Sequence, residues 1–466
     1  MYSAAGSTNH SPTAHWGIVG GGVLGMTIAL RLAQRGCRVT LLEARPHPGG
    51  LADAWQLGDL VWDRHYHVTL MSDESARGLL RELSLDDQMV WVNTKTGFFT
   101  DRQLHSMSDT IEFLRFPPLR LIDKLRLGFT IYHASRVTDW RALEQIPVAE
   151  WLRKFSGRRT FEKIWLPLLR AKLGDCWQDT SAAFIWATIA RMYAARRSGL
   201  KKEMFGYVPG GYATIMQRLV EKLTDAGVTI VCSAPVRRIE AGAAGTLTVH
   251  TGERARNFSH VVSTLPAAAA PILCEQLRDE EKRRFSGVRY HGIVCASVLL
   301  QNSLSPFYVT NITDEGFPFT AVIEMSSLVQ REHLGGHALV YLPRYVRPDD
   351  PVFEQSDAAL EGEFLEGLRR MHPRLRMSDV KAVRISRVRH VFALPTLDYS
   401  ANLPPIVTSV PGFFAVSSAH IVNGTLNVNE SVRLAEQFVQ QHANVSPDQA
   451  ASVPAATGVL QSVRQP

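Results

Sequence analysis

A glycine-rich turn between an apolar strand and an amphipathic helix constrains the fold of this chain more than any other feature. The turn reads Gly20-x-Gly22-x-x-Gly25 and follows the apolar residues 16–19. In this pattern the first glycine permits a tight turn, the second lets the backbone approach a pyrophosphate, and the third lets the helix pack closely on the strand. A second apolar strand ends at Glu43, 18 residues after Gly25, where a carboxylate can accept hydrogen bonds from a ribose. The block therefore predicts a βαβ unit that binds a dinucleotide.

Size and composition are those of a globular enzyme with two or three domains. The chain has 466 residues, of which 45% are hydrophobic and 20% are charged. Its net charge of +7 is modest and its arginines are dispersed, so nucleic-acid binding is not indicated. An anionic substrate or an acidic membrane surface fits this charge.

Cysteine usage and hydropathy bear on the location of the protein. Five widely spaced cysteines without a CxxC pair predict free thiols in a reducing cytoplasm. No apolar run reaches the about 18 residues of a membrane-spanning helix, so we expect contact with a membrane to be peripheral, on its inner surface. Residues 1–14 and 446–466 are rich in Ser, Ala, Pro and Gln and are predicted to be disordered tails.

The residues after the second strand narrow the dinucleotide to FAD. Glu43-Ala44-Arg45 is followed by Gly49-Gly50. This block resembles the extended fingerprint of glutathione-reductase-type FAD enzymes, and more narrowly that of flavin amine oxidases, protoporphyrinogen oxidases and phytoene desaturases. The resemblance implies a loop of arginine and paired glycines close to the FAD ribose and phosphates. The family motif continues with a basic residue where this chain has Leu51, which weakens one phosphate contact but leaves the pattern intact.

The order of predicted elements fits the same superfamily over nearly the whole chain. The implied fold is α/β (α+β overall), with a glutathione-reductase-type FAD-binding Rossmann domain, an inserted mixed-sheet substrate domain and a helical subdomain. We expect a discontinuous FAD-binding domain at 15–75, 205–265 and 405–445. The substrate-binding sheet domain would take 76–107 and 266–404, and the helical subdomain 108–204. The substrate cavity would lie between these units, beside the flavin ring.

Three later segments complete the predicted cofactor site. Val236 lies where family members clamp the adenine with a backbone amide. Family members carry a Gly-Asp pair after the last strand, whereas this chain has Ser417-Ser418. A helix that starts near Asn427 or Asn429 would point its positive end at the flavin. Simple capping of that helix by Asn and Thr is the other interpretation, and both can hold at once. The predicted FAD contacts are Gly20, Gly22, Val23, Leu24, Gly25, Glu43, Ala44, Arg45, Gly49, Gly50, Leu51, Val236, Thr264, Ser418, Asn427 and Val428.

The first catalytic candidate, His67, lies in the densest polar cluster of the chain, residues 63–69. The cluster resembles the histidine segment beside the flavin in UDP-galactopyranose mutases. A metal pair formed with His65 is the other interpretation, but no third ligand cluster supports it, so we predict no metal. His65 also fits the description of a buried histidine that is hydrogen-bonded within the core.

Three charged residues are further catalytic candidates. Arg170 and Lys172 in the helical insert could hold an anionic substrate, or they could lie on an exposed turn. Glu324, within the apolar residues 321–325, would be a buried carboxylate that faces the cavity, with a pKa raised by desolvation. Exposure at a sheet edge is the alternative for Glu324.

Residues 110–136 mix apolar side chains with cations. Arg115, Arg120, Lys124 and Arg126 lie among Phe, Leu and Ile residues there. This arrangement suits insertion into a membrane interface, with cations reaching acidic headgroups. A buried helical lid is the alternative interpretation.

The resemblance implies an FAD-dependent oxidoreductase, an oxidase or dehydrogenase. It would take hydride equivalents from a small organic substrate such as an amine, a polyene or a porphyrinogen-like molecule. No second GxGxxG unit is present, so oxygen or a quinone would reoxidise the flavin. A flavin-dependent nucleotide-sugar isomerase and a non-catalytic FAD-binding protein are the alternatives.

Overall fold

The computed structural model describes residues 14–197, 204–242, 245–422 and 424–443. The predicted tails therefore lie outside the described residues, apart from Ala14.

The strands of the described residues are numbered in chain order. They are β1 (His15–Val19), β2 (Arg38–Leu42), β3 (Ala54–Leu57), β4 (Leu60–Asp63), β5 (Thr69–Leu70), β6 (Val90–Asn93), β7 (Thr96–Thr100), β8 (Gln103–Ser106), β9 (Met204–Tyr207), β10 (Thr229–Val231), β11 (Arg238–Ala241), β12 (Leu247–Thr251), β13 (Arg254–Phe258), β14 (His260–Ser263), β15 (Tyr290–Leu300), β16 (Val309–Ile312), β17 (Ala321–Glu324), β18 (Ala338–Val346), β19 (Val380–Ala393) and β20 (Phe413–Ala415).

The helices are numbered in the same way. They are α1 (Val23–Gln34), α2 (Glu74–Glu82), α3 (Thr110–Arg115), α4 (Leu121–Ala134), α5 (Val148–Ser156), α6 (Arg158–Thr160), α7 (Leu166–Leu173), α8 (Ala182–Arg197), α9 (Gly211–Asp225), α10 (Ala269–Leu273), α11 (Asp279–Gly287), α12 (Asp357–Met371), α13 (Tyr399–Asn402) and α14 (Val428–His442).

A five-stranded parallel sheet carries the glycine turn. Its strand order is β10-β2-β1-β14-β20, so segments that are distant in sequence meet in one layer. Ile18 of β1 lies between Leu41 of β2 and Val262 of β14, and all three are fully buried. Strands of such a sheet are apolar throughout because helices cover both faces. Helices α1 and α14 pack against each other beside the sheet, and the predicted α/β class is confirmed.

A seven-stranded mixed sheet forms the second layer. Its order is β19-β15-β18-β17-β16-β7-β8, and only β16 and β7 run parallel among these described pairs. Every residue of β15 is buried between β18 and β19. Because β19 is rich in arginine and partly exposed, its sequence lacks the long apolar run that β15 has.

The segment that begins the predicted sheet domain packs elsewhere. Leu79 and Leu80 of α2 and Met89 before β6 lie in one apolar cluster with Met26 of α1 and Val432 of α14. Helix α2 therefore packs on α14, beside the parallel sheet, because its apolar side chains recur at helical spacing and face that helix.

Helices α3 and α4 turn much of their apolar surface to solvent, which contradicts a lid buried throughout. The large apolar side chains of this face are 49–65% exposed: Ile111, Leu114, Leu121, Ile122, Leu125, Phe129 and Tyr132. Arg115, Arg120 and Arg126 are exposed beside them. Lys124, expected among these outward cations, is instead buried, and its Nζ donates to the Leu114 carbonyl oxygen at 2.6 Å.

All five cysteines are free thiols. Within the described ranges, no helix has the length and apolar character needed to cross a bilayer.

Candidate active site

The glycine turn has one tightly packed side and one open side. Gly20 has a φ of +108°, which L side chains rarely adopt, and a Cβ at Gly25 would lie 2.0 Å from the Gly20 carbonyl oxygen. A Cβ at Gly22 would meet no described atom within 4 Å. No side chain caps the first turn of α1 at Gly22. Open space and uncapped N–H groups at a helix start are what a pyrophosphate requires.

Glu43 and the paired glycines pack around this turn. The Glu43 Oε2 accepts a hydrogen bond from the Gly21 N–H at 2.6 Å. The Gly49 N–H donates to the Gly21 carbonyl oxygen at 2.8 Å, and a Cβ at Gly50 would lie 3.0 Å from the Gly22 Cα. The carboxylate and the glycine loop therefore lie against the glycine turn, at which the resemblance implies that the FAD ribose and phosphates would bind.

The segment that contains Val236 lies beside the end of β2. The Ala234 N–H donates to the Glu43 carbonyl oxygen at 2.9 Å, and the Ser233 N–H donates to that of Arg45 at the same distance. Thr264 borders the turn from the other side, since its Oγ1 donates to the Val19 carbonyl oxygen at 3.0 Å. These contacts place residues 233–234 beside the end of β2 and Thr264 beside the packed side of the turn.

The remaining predicted cofactor residues lie between β20 and α14. Asn427 caps α14, with its Oδ1 accepting from the Glu430 N–H at 3.0 Å, which confirms the capping interpretation. Ser418 begins a short 3-10 turn after Ser417, whose hydroxyl lies 3.5 Å from the Tyr290 hydroxyl. Together with the open glycine turn, this arrangement fits FAD.

The two histidines of the polar cluster have different environments. The His65 ring contacts the Leu51 carbonyl oxygen at 3.3 Å through Nδ1 and the Ser386 hydroxyl at 3.0 Å through Nε2, as expected of a core histidine. The His67 Nδ1 lies 2.8 Å from the His65 carbonyl oxygen, so it must carry the proton, and Nε2 keeps a lone pair. Burial lowers the pKa of His67 to about 4, so this imidazole is neutral near pH 7. No group of three metal-ligating side chains occurs in the part of the chain that the structure describes.

Lys172 joins two tyrosines that sequence reasoning did not select. Its Nζ lies 3.8 Å from the centre of the Tyr345 ring and 5.1 Å from that of Phe392. The Tyr345 and Tyr66 hydroxyls are 2.7 Å apart. No carboxylate in the described ranges pairs with Lys172, and burial lowers the pKa of its ammonium group. A cation–π contact holds this ammonium against the Tyr345 ring.

Arg170 and Glu324 do not join this cluster. Arg170 is exposed and lies 3.5 Å from Glu315 in a surface ion pair. Glu324 is fully buried, which excludes edge exposure, and burial raises its pKa. Its two oxygens accept from the Leu304 N–H at 2.8 Å and the Ser305 N–H at 2.9 Å, so the carboxylate holds the turn after β15.

Asp63, which was not among the predicted site residues, is a buried carboxyl at the end of β4. Its Oδ1 accepts from the Tyr212 N–H at 2.6 Å, at the start of α9. Burial raises the pKa of Asp63 to about 7. Gly211 has a φ of +65° and a Cβ there would lie 2.6 Å from Oδ1, so the glycine admits this contact. The signal in the sequence was an acid that directly follows an apolar strand and opens the polar cluster.

Comparison with known proteins agrees with this geometry. The sequence profile described as "Flavin containing amine oxidoreductase" matches residues 25–429. A probable zeta-carotene desaturase of Synechococcus elongatus is 23% identical over 263 residues, which are 50% of this chain and 53% of that protein. The match thus spans about half the length of this curated relative.

Solved structures share the fold over nearly their whole length. A putative protoporphyrinogen oxidase from Exiguobacterium sp. 255-15 superposes with a TM-score of 0.73 and 19% identity, over 93% of this chain and 99% of that one. A reduced UDP-galactopyranose mutase gives 0.71 and 15%, over 94% and 98%. The sequence profile covers most of the chain, and the chain therefore belongs to the family of flavin-containing amine oxidoreductases, which places it in the class of FAD-dependent oxidoreductases.

Proposed function

We propose that this protein oxidises a small organic molecule by removing a hydride equivalent from it. The candidate substrates are an amine, a polyene or a porphyrinogen-like molecule, and oxygen or a quinone would be the final acceptor. FAD bound at the glycine turn would supply the two-electron acceptor. The residues that contact the substrate would be Lys172, Tyr66, Tyr345 and His67.

The observation that carries this proposal is the contact between Lys172 and Tyr345. Lys172 comes from α7, Tyr345 from β18 and Tyr66 from the segment after β4, so three parts of the chain meet at one point. Ligand pockets concentrate at such junctions. Each of the three residues is partly exposed, so the cluster is not sealed inside the core.

His67 complements this cluster as a hydrogen-bond acceptor. Its unprotonated Nε2 can accept a hydrogen bond from an N–H or O–H of the substrate, whereas Lys172 can only donate. The two residues would orient a polar substrate group. With a pKa of about 4 this imidazole is a weak base near pH 7, so the role proposed for it is that of a hydrogen-bond acceptor.

The test is anaerobic mixing of the FAD-loaded protein with putrescine, zeta-carotene or protoporphyrinogen, followed by flavin absorbance. Oxidation of a substrate bleaches the flavin. With the substrate that bleaches the flavin fastest, we expect Lys172→Met to slow bleaching at least about tenfold. This is the effect of losing one charge-assisted hydrogen bond to the substrate. Arg170→Met, on the same helix but exposed, is the matched control and should leave the rate unchanged. Equal rates for Lys172→Met and the unmodified protein would exclude Lys172 from the site.

The same experiment separates the alternative functions. A nucleotide-sugar isomerase would turn over only with reduced flavin and would give no net bleaching. A binding protein without catalysis would show neither turnover nor bleaching. The serines at 417 and 418, where family members carry a Gly-Asp pair, are the feature that favours testing both.

We also propose that the exposed face of α3 and α4 binds an acidic membrane surface, from the cytoplasmic side. Seven apolar side chains and the neighbouring Arg115, Arg120 and Arg126 support this proposal, because apolar insertion and attraction to anionic headgroups add together. A protein bound in this way would have access to apolar substrates dissolved in the membrane. The free cysteines are compatible with the cytoplasm.

A further inference from the structure

A cleft of ≈ 560 Å³ opens beside the β3–β4 hairpin, and nothing in the proposed reaction uses it. The glycines of the dinucleotide turn are not among its lining residues. Its volume lies within the range of about 300–1,000 Å³ that is typical of ligand sites. The polar and aromatic residues that line it are His47, Asp53, Trp55, Gln56, Arg64 and Arg384.

Two arginines in the cleft lie against one tryptophan. The guanidinium carbon of Arg384 is 4.5 Å from the centre of the Trp55 ring, and that of Arg64 is 5.7 Å away. The Arg64 Nε donates to the Ser386 hydroxyl at 2.9 Å, and the Arg384 Nη1 donates to the Gln56 carbonyl oxygen at 2.8 Å. Each guanidinium is therefore held in place by neutral groups, which do not balance its charge.

The cleft has more positive than negative charge. Within the described ranges, neither Arg64 nor Arg384 forms an ion pair with a carboxylate. Asp53, the acid that lines the cleft, lies 3.7 Å from Arg45 and 3.3 Å from the His47 ring instead. Burial and the charges of Arg45 and Arg384 lower the pKa of Arg64, and the charge of Asp53 offsets this only in part. Cations held together in this way are stabilised by a bound anion.

We propose that this cleft is a binding site for a phosphate-bearing anion. Guanidinium groups recognise phosphate oxygens through paired N–H donors, and each of these two lining arginines has N–H groups besides the one that bonds Ser386 or Gln56. The phosphate could belong to a soluble compound or to a lipid headgroup, and the chemistry of recognition is the same for both. None of the predicted FAD contacts lines the cleft, so a bound phosphate there would modulate the protein or anchor part of a ligand.

The test uses the FAD-loaded protein and titrates it calorimetrically with inorganic pyrophosphate. We expect saturable binding that weakens at least about tenfold in Arg64→Gln and in Arg384→Gln, since each loses one charge-assisted contact. Arg384 is exposed, so its substitution keeps the test informative if Arg64→Gln fails to fold. Arg369→Gln removes a charge from α12, where the side chain is also exposed, and should bind pyrophosphate as the unmodified protein does.

A second arm distinguishes the source of the phosphate. Vesicles of phosphatidylcholine with and without phosphatidic acid are sedimented with the same proteins. If Arg384→Gln loses the binding that depends on phosphatidic acid, the site binds a lipid headgroup. If Arg384→Gln sediments unchanged with the vesicles but binds pyrophosphate more weakly, the site binds a soluble compound. Pyrophosphate that binds only the FAD-free protein, or that binds both arginine variants as tightly as Arg369→Gln, would overturn the proposal.

Discussion

The substitution Gly22→Ala should separate cofactor binding from folding. A Cβ at Gly22 meets no described atom within 4 Å, and the backbone there has a φ of −76°, which alanine adopts freely. Replacing glycine by alanine at such a position stabilises a protein by about 0.4–1 kcal/mol, because the unfolded chain loses conformational freedom. The same Cβ would occupy the space in which a pyrophosphate approaches the backbone. Each charge-assisted hydrogen bond lost there weakens binding by about 1.5–3 kcal/mol, so the FAD dissociation constant should rise at least tenfold.

Two measurements check this prediction, and Gly25→Ala is the control. Urea unfolding of the FAD-free proteins gives the stability without a contribution from bound cofactor. Fluorescence titration with FAD gives the dissociation constant. Gly25→Ala should destabilise the fold by about 1–3 kcal/mol, because its Cβ would lie 2.0 Å from a backbone oxygen that cannot move freely. Wild-type FAD affinity in Gly22→Ala would refute the assignment of the open side of the turn to the pyrophosphate.

Three further predictions follow from buried and exposed side chains. The pKa of Asp63 is raised from 3.8 to about 7, so its protonated carboxyl stabilises the fold below pH 3.8, and this stabilisation is lost as the pH rises through about 7. The shift corresponds to about 4 kcal/mol of unfolding free energy. In urea unfolding between pH 4 and 8, Asp63→Asn should not show this decrease in stability. Glu324→Gln should destabilise the protein by about 1–3 kcal/mol, because an amide NH₂ cannot accept the Ser305 N–H, while the rate of flavin bleaching per folded molecule stays unchanged; a slower rate would instead make Glu324 catalytic. Phe129→Glu should reduce sedimentation with phosphatidylglycerol vesicles, whereas Ile272→Glu, which is 73% exposed on α10, should not; equal binding by both would contradict membrane contact of α3 and α4.

The dinucleotide turn could be predicted because its information is local. Gly20, Gly22 and Gly25 each meet one backbone requirement of the turn, and the three positions have a fixed spacing along the sequence. The apolar strands of the parallel sheet could be predicted equally well, since a strand that is buried on both faces has a continuous apolar run in its sequence. FAD binding and membership of the oxidoreductase class followed from the same segment and its resemblance.

The cluster around Lys172 could be predicted only in part. Lys172 was selected as a lone cation on a helix, but Tyr66 and Tyr345 come from segments that only the tertiary fold brings to it. Glu324 illustrates the opposite case: its burial was predicted, whereas the backbone N–H donors around it belong to a turn with no sequence signature. The periodicity of a sequence segment does not give the distances between side chains of different segments. The contacts among these site residues could therefore be found only in the structure.

The most direct test of the central claim is the absorbance of the purified protein after incubation with FAD and gel filtration. We predict that oxidised-flavin bands elute with the protein at about one FAD per chain, and that they disappear on anaerobic mixing with substrate. Protein that elutes without flavin absorbance after this incubation would contradict the claim that the glycine turn binds FAD.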